Sequence, residues 1–124
     1  MSHPSMDNVR TLYSLRDIEG VYGSFVINAQ GAPTARDLPP VFDDGTLAES
    51  GNRIVRLWEV VSESSAAEYA WLEFDEYCLF VKGLSAGCLC VVVPPTVNLL
   101  ALRLASKWVV RNLDRDVAPF AHSA

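Results

Sequence analysis

At 124 residues the chain has room for one domain with a substantial core and too little for two. Hydrophobic residues make up 50% of it and charged residues 20%, a balance that places it among folded globular chains and excludes intrinsic disorder. The net charge is −5 and the ten basic residues are scattered, so no basic stripe is available for nucleic acid. Cys78, Cys88 and Cys90 are odd in number and contain no C-x-x-C pair, which argues against a disulfide framework. The opening MSHPSMDNVRT lacks the apolar stretch of a signal peptide, and no run approaches the ~18 apolar residues of a membrane span. The expectation is one cytoplasmic domain over 1–124, with its core at about 6–113 and flexible ends at 1–5 and 114–124.

In chain order, the first helix is expected from about Met6 to Asp17, capped by Ser5, with Met6, Val9, Leu12 and Tyr13 on one apolar side. Gly20 suits the left-handed residue that closes a helix. VYGSFVIN (21–28) is rich in β-branched and aromatic types and leads through Ala29-Gln30-Gly31 into a weaker strand at 33–38. Pro33 marks that second strand as an edge, since proline cannot donate to a central ladder. After Pro39-Pro40, Asp43 or Asp44 is placed to cap a helix over 44–62. AEYAWLEF (67–74) and YCLFVKG (77–83) flank a tight turn at Asp75-Glu76, and GCLCVVV (87–93) follows. Pro94-Pro95 ends that strand, Thr96 is a candidate cap, and a last helix is expected over 97–113.

This order, helix, two strands, helix, three strands, helix, predicts an α+β fold with a five-stranded antiparallel sheet. The strands are apolar at nearly every position, so helices cover both faces, one on one side and two on the other. Strand 67–74 is a candidate for an open edge.

The helix at 44–62 carries the functional argument. At about 100° per residue, Leu47, Gly51, Ile54, Trp58 and Val61 form one line, Leu57 flanks it on one side, and Val55 and Ala48 on the other. The apolar arc is roughly 180° wide, more than the ~100° that one sheet requires. Leu57 and Trp58, together with Tyr69 and Trp71 on the candidate edge strand, are therefore anchors for a second protein as well as candidates for the core. Gly51, in the middle of the line, either allows a close backbone approach or is a tolerated helical glycine. Arg53 and Arg56 lie on the opposite, exposed side, as solvated surface or as partners for acidic groups. Cys88 and Cys90 project to one side of their strand, but with His3 and His122 at the ends the cysteines read as buried thiols and not as a metal site. No nucleophile motif, phosphate loop or histidine pair is present, and neither an enzyme nor a cofactor is expected.

DIEGV, the strand GSFVIN, the turn at Gly31 and the LxxxGxxI pattern of the central helix resemble the roadblock-type dynein light chain family, as do CLCVVVPP and the helix VNLLALRLASKWVVRNL. The resemblance covers about residues 6–113; Pro33 to Pro40 and the tail after Leu113 fall outside it. It implies a sheet with the first and last helices on one face and the central helix on the other. It also implies a dimer in which central helices lie side by side and third strands join edge to edge, giving Leu47, Gly51, Ile54, Leu57, Trp58, Val61, Tyr69 and Trp71 as interface candidates. Family members act as dynein-associated subunits, as scaffolds for Rag GTPases, or as regulators of bacterial Ras-like GTPases. The expectation is thus a non-catalytic homodimer that binds a small Ras-like GTPase and modulates its nucleotide cycle or localisation. The alternatives are a small-molecule sensor domain and a light-chain-like structural subunit.

Overall fold

A computed structural model describes residues 4–64 and 67–122. His3 lies outside the described residues, as does the side chain of Met6. The first helix, α1 (Pro4–Tyr13), starts on a proline, whose missing N–H costs nothing at a first helical position, so Ser5 lies inside the helix and is not its cap. A 3-10 turn over Ser14–Asp17 completes the expected span, and Gly20 follows at φ +93°. Leu12 and Leu15 are fully buried, whereas Tyr13 is exposed, with the Arg16 guanidinium 4.3 Å from its ring centre.

The strands are β1 (Gly23–Asn28), β2 (Pro33–Asp37), β3 (Ala70–Glu73), β4 (Cys78–Leu84) and β5 (Gly87–Val93). They form one sheet in the order β2-β1-β5-β4-β3, antiparallel at every pairing. The longest apolar strands, β4 and β5, pair near its centre, and the sheet ends at β2 and β3. Pro33 begins edge strand β2, where the register with β1 slips between Val26 and Ile27. Arg16 donates to both carboxylate oxygens of the nearly buried Asp37, at 2.7 Å from Nε to Oδ2, and so ties the 3-10 turn to that edge.

Period-two alternation divides the core in two. Val26, Cys78, Phe80, Leu89, Val91 and Val93 face α1 and the last helix, α3 (Leu99–His122), which contributes Leu102, Val109 and Leu113. Phe25, Ile27, Leu79, Val81, Cys88, Cys90 and Val92 face the central helix, α2 (Asp44–Ser64), which contributes Leu47 and Ile54. Apolar strands with helices on both faces are the α+β architecture that the sequence predicts.

The last helix departs from expectation at both ends. It starts at Leu99, and Asn98 supplies the cap, its Oδ1 accepting the Ala101 N–H at 3.1 Å, in place of Thr96. It continues past Leu113 to His122, and Asp114 accepts the Ser85 N–H at 3.0 Å, bracing the β4–β5 turn. Asn98→Ala should therefore cost about 1 kcal/mol in urea unfolding, while Thr96→Ala should be close to neutral.

Candidate interaction surface

The position of α2 is fixed by two glycine contacts. Gly51 lies directly on the β1–β2 turn: a Cβ there would overlap the carbonyl oxygen of Gly31 and sit 2.7 Å from its carbonyl carbon. Gly31 itself has φ +84°, a conformation that glycine adopts without strain. About two turns further on, the Trp58 indole lies over Gly83 of β4, where a Cβ would fall 2.6 Å from Trp58 Cε2. The helix begins where Asp43 Oδ1 accepts the Thr46 N–H at 2.8 Å, a bond that holds the Asp43 carboxyl below its ordinary pKa.

This seating places the residues expected at an interface. Leu47 and Ile54 are 4% and 5% exposed and Gly51 is buried, all three beneath α2 in its own core. Trp58 is half-buried against the same core. Leu57 and Val61 are half-buried, and Arg53 and Arg56 are exposed. The surplus apolar arc thus resolves into an occupied centre and a partly open flank at Leu57.

Tyr69 and Trp71 are on the other side of the sheet. In β3 it is Ala70 and Leu72 that face α2, whereas Tyr69 and Trp71 pack on the core under α1 and α3. Tyr69 stacks on Phe80 with ring centres 4.9 Å apart, and Arg103 holds Glu68 through two 3.1 Å hydrogen bonds, lowering its pKa. Tyr69 and Trp71 share a face, as alternation requires, but it is not the face of α2. The β3 residue beside α2 that sequence reasoning missed is Leu72. Its signal was the same alternation, counted from Ala70 instead of from the larger aromatic rings.

Between the flank of α2 and the β3–β4 hairpin is a cavity of about 300 Å³. Leu57, Leu72, Phe74 and Tyr77 line it together with Phe42, and Thr46, Ser50 and Arg53 bring polar groups from α2. Phe42 meets Tyr77 edge-on at 5.8 Å, and Phe74 stacks on Tyr77 at 5.1 Å. Beyond this cavity, among the described residues, β3 pairs only with β4, and its outer edge carries no strand.

The thiols divide between the faces: Cys88 and Cys90 point to α2, and Cys78 points to α1 and α3. That geometry cannot bring three sulfurs to one ion. Burial raises all three pKa values, Cys88 to about 11 and Cys90 well above its ordinary value. At pH 8, iodoacetamide should leave the native thiols largely unmodified by mass spectrometry while labelling all three in denaturant.

No family model and no curated protein matches the sequence. Solved structures do. A roadblock/LC7 domain from Streptomyces avermitilis superposes with a TM-score of 0.69 at 14% identity, covering 92% of this chain and 97% of that one. MglB from Myxococcus xanthus gives 0.72 at 12% identity over 94% and 89%. The gliding protein MglB from Thermus thermophilus gives 0.66 at 19% identity over 93% and 91%.

Proposed function

We propose that this chain, which has the roadblock/LC7 fold, is a non-catalytic homodimeric platform that binds a small Ras-like GTPase and modulates its nucleotide cycle or localisation. One observation supports the dimer: among the described residues the outer edge of β3 is open and lies beside the partly exposed flank of α2, with Leu57, Leu72 and Phe74 around the cavity. An unpaired strand edge next to exposed apolar surface favours a second chain, and a two-fold pairing satisfies both copies at once. The GTPase follows from the family resemblance together with the fold shared with the gliding protein MglB. Arg56, exposed on α2, and Arg53, exposed where α2 lines the cavity, are the residues offered to its acidic groups. Three free cysteines suit a reducing cytoplasm.

The test is light scattering followed by co-elution with purified small Ras-like GTPases of the same organism, in each nucleotide state. A dimer at micromolar concentration that retains the GTPase in one state, and loses it on Arg53→Glu with Arg56→Glu, is the expected result. A monomer, or no co-elution in either state, would count against the proposal.

The cavity favours one second reading, a small-molecule sensor domain. Its volume is at the lower end of ligand sites, and Thr46, Ser50 and Arg53 supply the polar groups that such a site requires. Thermal stabilisation by an anionic metabolite, with none by a GTPase, would reverse the ranking. A light-chain-like subunit differs from the first reading only in its partner.

A further inference from the structure

The outward side of α3 has no role in the fold or in the assembly proposed above. Leu100, Leu104 and Trp108 are 63%, 59% and 52% exposed. Their four-residue spacing puts them on one line of the helix, about 12 Å long. The opposite side of the same helix is firmly seated, with Leu102, Ser106 and Val109 fully buried. The exposed line therefore belongs to a rigid element and not to a loose end.

One of its borders is cationic. Lys107 and Arg111 are exposed on the same side of the helix. Arg103 and Lys82 stand behind them around Glu68, Arg103 on its carboxylate and Lys82 on its carbonyl oxygen at 3.1 Å. Among the described residues, Glu68 is neutralised by Arg103, and Asp114, which accepts the Ser85 N–H, keeps its charge, so these four cations still outnumber the carboxylates beside them. An excess of positive charge thus collects on one face of a chain whose net charge is −5.

We propose that the Leu100–Leu104–Trp108 face of α3, bordered by Lys107 and Arg111, is a docking site for an acidic amphipathic helix of a partner protein. A straight apolar line of this length matches the i, i+4, i+8 anchors of one helix face, and the basic border selects acidic residues alongside them. A second copy of α3 fits poorly. Antiparallel pairing centred on Leu104 would set Trp108 against Leu100 but would run Lys107 and Arg111 of both copies along the same side. An anionic bilayer is disfavoured by the chain's overall negative charge.

The probe is a fluorescein-labelled helical peptide with leucines at i, i+4 and i+8 and glutamates beside them, compared with its glutamate-to-lysine counterpart. Fluorescence anisotropy on the full chain should give micromolar binding of the acidic peptide, and at least tenfold weaker binding of the basic one. Leu104→Ala with Trp108→Ala, and separately Lys107→Glu with Arg111→Glu, should each weaken the acidic peptide at least tenfold. Both pairs change exposed positions, so circular dichroism and the mass by light scattering should stay those of the wild type. Equal binding of the two peptides, or binding untouched by both variants, would overturn the proposal. So would a fall in mass with Leu104→Ala and Trp108→Ala, which would make this face a self-interface. Variant-sensitive sedimentation with phosphatidylserine vesicles in place of peptide binding would assign it to membranes instead. Loss of the α2-side dimer alone would leave this result unchanged, so the two proposals fail separately.

Discussion

Gly51→Ala should lower stability by about 3 kcal/mol, or roughly 12 °C in melting temperature for a chain of this size. The sign is the informative part. In an ordinary helix interior the same change stabilises by about 1 kcal/mol, because alanine loses less backbone freedom than glycine. Here the added methyl would overlap the Gly31 carbonyl oxygen, a backbone atom that cannot rotate away. Relief requires α2 to lift off the β1–β2 turn, and lifting it unseats Leu47 and Ile54 on either side of the contact. Gly45→Ala is the control, since a Cβ there meets only Asp43 Oδ1 at an ordinary 3.5 Å. That variant should be neutral or slightly stabilising in thermal unfolding. A Gly51→Ala protein as stable as the wild type would mean that α2 does not rest on the turn at Gly31.

This contact also shows how far the sequence reaches. Hydrophobic periodicity placed every element, because each strand alternates between two covered faces and each helix has one buried line. Gly51 stood out by interrupting such a line. The residue it meets is twenty positions away, and periodicity carries no information about which turn passes beneath a helix. The ends of elements were less legible for a related reason. Thr96 and Asn98 are both competent caps, and the choice between them depends on where the chain leaves β5 after Pro94-Pro95.

The candidate site was legible as a helix and a strand, but not as a pair of faces. The wide apolar arc on α2 is mostly consumed by its own sheet, leaving Leu57 at the flank. Size drew the reading of β3 to its aromatic rings. Tyr69 and Trp71 are its conspicuous residues, but Tyr69 is needed to cover Phe80 on the far side of the sheet. The smaller Leu72 is what β3 offers beside α2.

That shift of one residue in β3 defines the second large effect. Leu57→Glu combined with Leu72→Glu should raise the dissociation constant of the proposed dimer at least a hundredfold, about 2.7 kcal/mol. Each leucine, if buried by the partner, contributes roughly 1.5–3 kcal/mol, and four carboxylates around one two-fold axis would repel one another. The measurement is sedimentation velocity over a concentration series, with circular dichroism to verify that the variant keeps its fold. Trp71→Ala provides the contrast. Its ring packs on the core beneath α1 and α3, so its loss should lower the melting temperature and leave the sedimentation coefficient at a given concentration unchanged. The reverse pattern, dissociation by Trp71→Ala and none by the glutamate pair, would move the interface to the α3 face. An unchanged mass in both variants would leave neither side of β3 in the assembly. Because β3 alternates strictly, the two variants differ by one position along the strand and by the whole thickness of the sheet in what they test.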